Sequence, residues 1–326
     1  MSPDPDPIGA PPHPDAFPAP PAIPPLLSEV APRWVSSPTP AGPGIGSSLA
    51  LTAIYVGGLI LLQTVIAVIQ LALGRPPSQG TGITLFSLLA AFAITVPLIP
   101  WLSRRSLRDL FQLRFPSPTV LSGAVLLTLG GWLLAGEIAT LTELALPMPE
   151  FIARMFEELF STADPVGSLV LLVVLPPIIE ETLCRGLVLR AMLQRWKPST
   201  AILVSSLVFG FIHLNPWQFF YASWLGIIFG WAYYRTRSLG LCMVMHALNN
   251  GLSWLLMRLQ PEWAGFDRRT FSDPPEHVPI LMLLASFGLL VAGAAILQRC
   301  PAAPSEPEPS PAPPILDPNS PPPAPG

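Results

Sequence analysis

VLLVVLPPIIEETLCRGLVLR, residues 170–190, is an apolar run broken first by two prolines and then by Glu180, Glu181 and Arg185. Its greasy flanks are those of a membrane-spanning helix, and ionisable groups inside such a helix are costly enough to mark a functional site. Two further polar stations follow in apolar surroundings: FGFIH (Phe209 to His213) and HALNN (His246 to Asn250). Carboxylate, imidazole and amide groups are the inventory of a hydrolytic centre.

Composition agrees with a membrane setting. The chain has 326 residues, 51% of them apolar and 11% charged, where soluble domains carry about 25% charged residues. Between the ends lie apolar segments at residues 48–74, 82–103, 119–146, 166–190, 199–214, 217–234, 239–258 and 278–298. Each is judged against the roughly 20 residues a spanning helix needs. The expected fold class is therefore an all-α polytopic membrane protein with about eight transmembrane helices. The two segments meeting at Asn215-Pro216 are short, and are read as two helices rather than one re-entrant unit. Residues 150–160, EFIARMFEELF, alternate apolar and charged groups at helical spacing and read as an amphipathic interfacial helix.

Residues 1–47, with runs such as APPHPDAFPAPPAIPP, and residues 301–326 are Pro-rich and poor in apolar side chains. Both are expected to be disordered tails around a domain at 48–300, whose motif core is about 166–260. The N-terminus has no basic start and no apolar core, so it is not read as a signal peptide. A net charge of -3 leaves no basic face for nucleic acid. Cys184, Cys242 and Cys300 form no CxxC pair, which argues against a zinc ribbon or a disulfide scaffold. Arginines at 104, 105, 108 and 114, the group Arg190, Arg195 and Lys197, and the pair Arg235 and Arg237 alternate on one side. The positive-inside rule makes that side cytoplasmic, with both tails there, although Arg268 and Arg269 in the loop at 259–277 fit poorly.

The stations divide the chemistry between them. Glu180 and Glu181 point about 100° apart on a helix. Glu181 is spaced i, i+4 from Arg185 and pairs with it, which lowers the cost of both charges in hydrocarbon. Glu180 then faces elsewhere, and a desolvated carboxylate is a competent general base near neutral pH. Pro176 and Pro177 should kink the helix and open space for water. Phe209 and His213 share a face at i, i+4, so the ring backs the imidazole. His246 and Asn250 repeat that spacing and offer donors for a developing oxyanion. Asn249 lies off that face and reads as a packing hydrogen bonder. Glu137 and Glu143 either line a substrate path or pair near the outer interface, and the second reading is preferred.

The ordered set EExxxR, FxxxH and HxxxN, over about residues 80–260, resembles the CPBP family. That family includes type II CAAX prenyl endopeptidases and bacterial proteins linked to bacteriocin processing and self-immunity. The resemblance implies that Glu180 and His213 activate water and that His246 and Asn250 hold the oxyanion, with Glu181, Arg185 and Phe209 in support. It implies an intramembrane endopeptidase acting on a membrane-associated protein or peptide, in the bacterial inner membrane. No cofactor is favoured. Zinc held by Glu180, His213 and His246 is the minority alternative, since two histidines and a carboxylate also bind that metal. Two rival readings are a non-catalytic membrane immunity or peptide-binding protein, and a proton-coupled transporter using the same acids.

Overall fold

The computed structural model describes residues 43–75, 81–103, 116–161, 164–259 and 274–300. Both expected Pro-rich tails fall outside these residues apart from 43–47, as do the arginines at 104–114 and at 268–269. The described residues form helices and no strands: α1 (Ile45–Ala72), α2 (Thr81–Thr95), α3 (Leu98–Ser103), α4 (Pro118–Ala145), α5 (Glu150–Ser161), α6 (Pro165–Leu193), α7 (Pro198–Phe211), α8 (Pro216–Thr236), α9 (Leu239–Leu259) and α10 (Ile280–Arg299). Among the described residues six helical stretches are long and apolar enough to cross a membrane: α1, α2 with α3, α4, α6, α9 and α10. The remaining two expected segments are α7 and α8. At 14 residues, α7 rises only about 21 Å against the ~30 Å of a hydrocarbon core. The expected amphipathic segment is α5, on which Glu150 and Arg154 pair.

Helix starts are written locally. Ser117-Pro118, Asp164-Pro165 and Asn215-Pro216 each place a capping side chain just before a proline at the first helical position. Asp164 Oδ1 accepts from the Gly167 N–H at 2.9 Å, and Asn215 Oδ1 from the Gln218 N–H at 2.8 Å. The turn between α7 and α8 runs through Leu214, whose φ of 57° lies in the left-handed region and ends α7 abruptly.

The expected kink in α6 takes another form. Pro176 and Pro177 have no N–H and crowd the carbonyls four residues back, those of Leu172 and Val173. The helix answers by winding Val170–Val174 as π-helix, in which the Leu175 N–H bonds the Val170 carbonyl. A second π-helical stretch covers Thr182–Leu189. At its start the Thr182 hydroxyl donates to the Ile178 carbonyl at 2.6 Å. Wide turns of this kind collect at functional sites.

Small residues bring the helices close. α4 and α10 pack as a pair, and a Cβ added at Gly293 would stand 2.6 Å from the Gly123 carbonyl. The hairpin of α7 and α8 closes on Gly210, where a Cβ would strike Ser223 Oγ and the Phe219 carbonyl, and on Gly226, which meets Ser206. α6 and α9 run antiparallel, joined at one end by Trp254 and Arg258, which both donate to Ser168 Oγ. Between them lies the first polar station.

Candidate active site

The cluster starts from a buried ion pair. Glu181 is 0% and Arg185 1% exposed. Arg185 Nη1 donates to Glu181 Oε1 at 2.8 Å, as the spacing predicts. The guanidinium is held from two further sides. Its Nη2 donates to the Gly226 carbonyl at 3.1 Å, and its carbon lies 4.3 Å from the Phe209 ring centroid. The close α7–α8 hairpin thus delivers both the carbonyl and the ring that make a buried arginine tolerable.

Glu181 does more than neutralise Arg185. The same Oε1 accepts from His246 Nδ1 at 2.9 Å. A carboxylate can only accept, so the Nδ1 proton is fixed there and His246 presents Nε2 to the interior of the cluster. Phe209 and Phe229 wall the imidazole, with ring centroids 5.6 and 5.7 Å away.

His213 is aimed in a parallel way. Where α7 ends, the His213 N–H bonds the Gly210 carbonyl and its Nδ1 donates to the Phe209 carbonyl at 2.9 Å. A carbonyl also only accepts, so Nε2 of the neutral ring carries the free lone pair. Phe209 backs this ring edge-on at 5.3 Å, as expected.

Glu180 stands between the two imidazoles. Its Oε2 lies 3.9 Å from His213 Nε2 and 3.9 Å from His246 Nε2. These distances are too long for direct hydrogen bonds. They suit groups that share a small molecule at ordinary hydrogen-bond length. Glu180 Oε2 is buried, and among the described residues it has no hydrogen-bond partner.

Asn250 meets two polar partners. Its Nδ2 donates to the Leu172 carbonyl at 2.9 Å, and its Oδ1 accepts from Asn249 Nδ2 at 3.1 Å. Leu172 is the carbonyl that Pro176 deprives of its helical donor. The amide therefore satisfies the proline break and ties α9 to α6. Glu137 accepts from His277 Nδ1 at 2.8 Å and from the Val278 N–H at 2.9 Å, which fastens the start of α10 to α4. Glu143 is half-buried near the end of α4. Cys184 and Cys242 are buried free thiols.

Sequence reasoning singled out neither Phe229 nor the Gly226 carbonyl, and it paired Glu181 with Arg185 alone. These contacts join α6 to residues 41 and 65 positions away. No local spacing announces them.

The three donor side chains would have to draw together to hold one zinc ion. Two ligand atoms on a tetrahedral zinc stand about 3.3–3.5 Å apart, given bonds of about 2.0–2.2 Å. Glu180 Oε2 is 3.9 Å from each imidazole nitrogen, and no group of three or more His, Cys, Asp or Glu side chains among the described residues is arranged as a metal site.

An integral membrane protein of packed helices, with carboxylates and two oriented imidazoles set among them, is the class that fold and cluster define. Residues 162–252, from the lead-in to α6 through most of α9, match the family described as Rce1-like, type II CAAX prenyl endopeptidase Rce1-like. That stretch holds all three polar stations, and it is over this stretch that the chain is similar to the type II CAAX prenyl endopeptidases. No curated protein and no solved structure gives a significant match.

Proposed function

We propose that this protein is an intramembrane endopeptidase that hydrolyses a peptide bond of a membrane-associated protein or peptide, without a metal. The carrying observation is Glu180 Oε2 equally distant from two imidazole nitrogens, each on a ring whose other nitrogen is already committed. Glu180 and the free lone pair of His213 Nε2 take a proton from water. The water oxygen attacks the scissile carbonyl, the carbon–nitrogen bond breaks, and the proton passes to the leaving amine. His246, oriented by Glu181 through Nδ1, turns Nε2 toward the oxyanion. Asn250, read from sequence as a second oxyanion donor, is assigned a positioning part through the Leu172 carbonyl.

The family description supports a substrate of the CAAX prenyl class, for which a farnesylated peptide is the first probe. The test uses cells. Membrane proteins from a deletion strain and from a Glu180→Gln strain are compared with wild type by quantitative proteomics. The expected result is a shared set of uncleaved proteins in both strains. A deletion phenotype that Glu180→Gln fully complements would instead favour a sequestering protein or a transporter.

The orientation is part of the proposal. Loops 103–116 and 190–198 and both tails face the cytoplasm. A single cysteine at position 107, in a Cys-free background, is expected to resist impermeant thiol reagents in intact cells and to label after lysis. Labelling from outside would reverse the topology.

A further inference from the structure

We infer that Tyr55 of α1 is a further catalytic residue, its hydroxyl donating to the oxygen that becomes negative at the scissile carbonyl; this rests on the hydrolase reading above. α1 lies outside the matched stretch 162–252, and it packs against the part of α6 that carries Arg185.

Tyr55 is 5% exposed and belongs to a buried group with Leu51, Ile179, Leu183 and Leu187. Ile179 and Leu183 bracket Glu180 on α6. The other buried hydroxyls of α1, Ser48 and Thr52, lie seven and three positions earlier, and Thr52 bonds the Ser48 carbonyl within the helix. Tyr55 is the α1 side chain with a hydroxyl that belongs to this buried group.

Its hydroxyl makes no hydrogen bond among the described residues, yet it lies in the electrostatic field of Glu180. A buried phenol usually finds a partner. Glu180 Oε2 has no donor among the described residues, and the Tyr55 ring packs against Ile179 and Leu183 on either side of it along α6. Phenol and carboxylate are both satisfied once a carbonyl and a water lie between them, with water on the carboxylate and the carbonyl oxygen on the phenol. The phenol is protonated at neutral pH and so remains a donor. Asn250 Nδ2 is engaged by Leu172, so Tyr55 supplies the second donor beside His246. Tyr221 is the contrast: it too lies in the field of Glu180, but its hydroxyl is engaged by Gln218.

The experiment incubates purified wild type, Glu180→Gln, Tyr55→Phe and Tyr221→Phe with membranes from the deletion strain and follows new protein N-termini over time. Termini made by wild type and absent with Glu180→Gln define the activity. Tyr55→Phe is expected to form those same termini about 10²–10³-fold more slowly, the loss of one oxyanion donor. Its thermal midpoint in detergent should match wild type, since the hydroxyl makes no hydrogen bond among the described residues. Tyr221→Phe should stay within about threefold of wild type. Tyr55→Phe within about threefold of wild type overturns the proposal and leaves the hydrolase reading standing. Activity lost together with the thermal midpoint also overturns it, by making Tyr55 structural. Identical termini from wild type and Glu180→Gln overturn both readings.

Discussion

Glu180→Gln abolishes cleavage and leaves the fold intact. The amide is the same shape but cannot take a proton, and a general base contributes about 10²–10⁴ in rate. The fold loses little, because among the described residues Glu180 Oε2 has no hydrogen bond to give up. Purified Glu180→Gln should therefore melt with wild type in detergent while a farnesylated peptide stays uncut. A mutant that is inactive and also poorly folded would instead make Glu180 part of the scaffold.

Arg185→Ala has the opposite signature. The guanidinium holds Glu181, the Gly226 carbonyl and the Phe209 face at once. Its removal leaves a buried carboxylate with no cation of its own, a loss of about 3–5 kcal/mol from a total stability of about 5–15 kcal/mol. The variant should melt far below wild type or fail to accumulate. Replacing both partners together, Glu181→Leu with Arg185→Met, removes the charges as well as the bond and should recover most of the stability. It should stay inactive, because His246 Nδ1 then has no acceptor to orient it. Wild-type melting of Arg185→Ala would show that the pair contributes nothing to the fold, and an active double variant would show that Glu181 does not orient His246.

These two results separate what is local from what is not. The Glu181–Arg185 pair and the Phe209–His213 contact were legible because both are i, i+4 on one helix, where geometry follows from spacing. Helix starts at Asp164-Pro165 and Asn215-Pro216 are local in the same way. The bond from Glu181 to His246 is not, because it depends on how α9 lies against α6. The contact of Asn250 with Leu172 was hidden for a similar reason. Its spacing from His246 is right for a shared face, but the carbonyl it serves is exposed by a proline 74 positions earlier in the chain (250 minus 176). Tyr55 lies more than a hundred residues before Glu180 and stands in an ordinary apolar helix, so only packing reveals it. The number of spans was legible from apolar length except at α7 and α8. There α7 is only 14 residues long, and α8, though 21 residues long, is interrupted by polar and small side chains, so the hydrophobic signal weakens.

The most direct test of the central claim is the cleavage rate of purified wild type on a farnesylated peptide after exhaustive chelation, with metal content measured on the same sample. Water activated by Glu180 and His213 predicts an unchanged rate and no stoichiometric zinc. Activity that disappears with the metal and returns when zinc is added would contradict it.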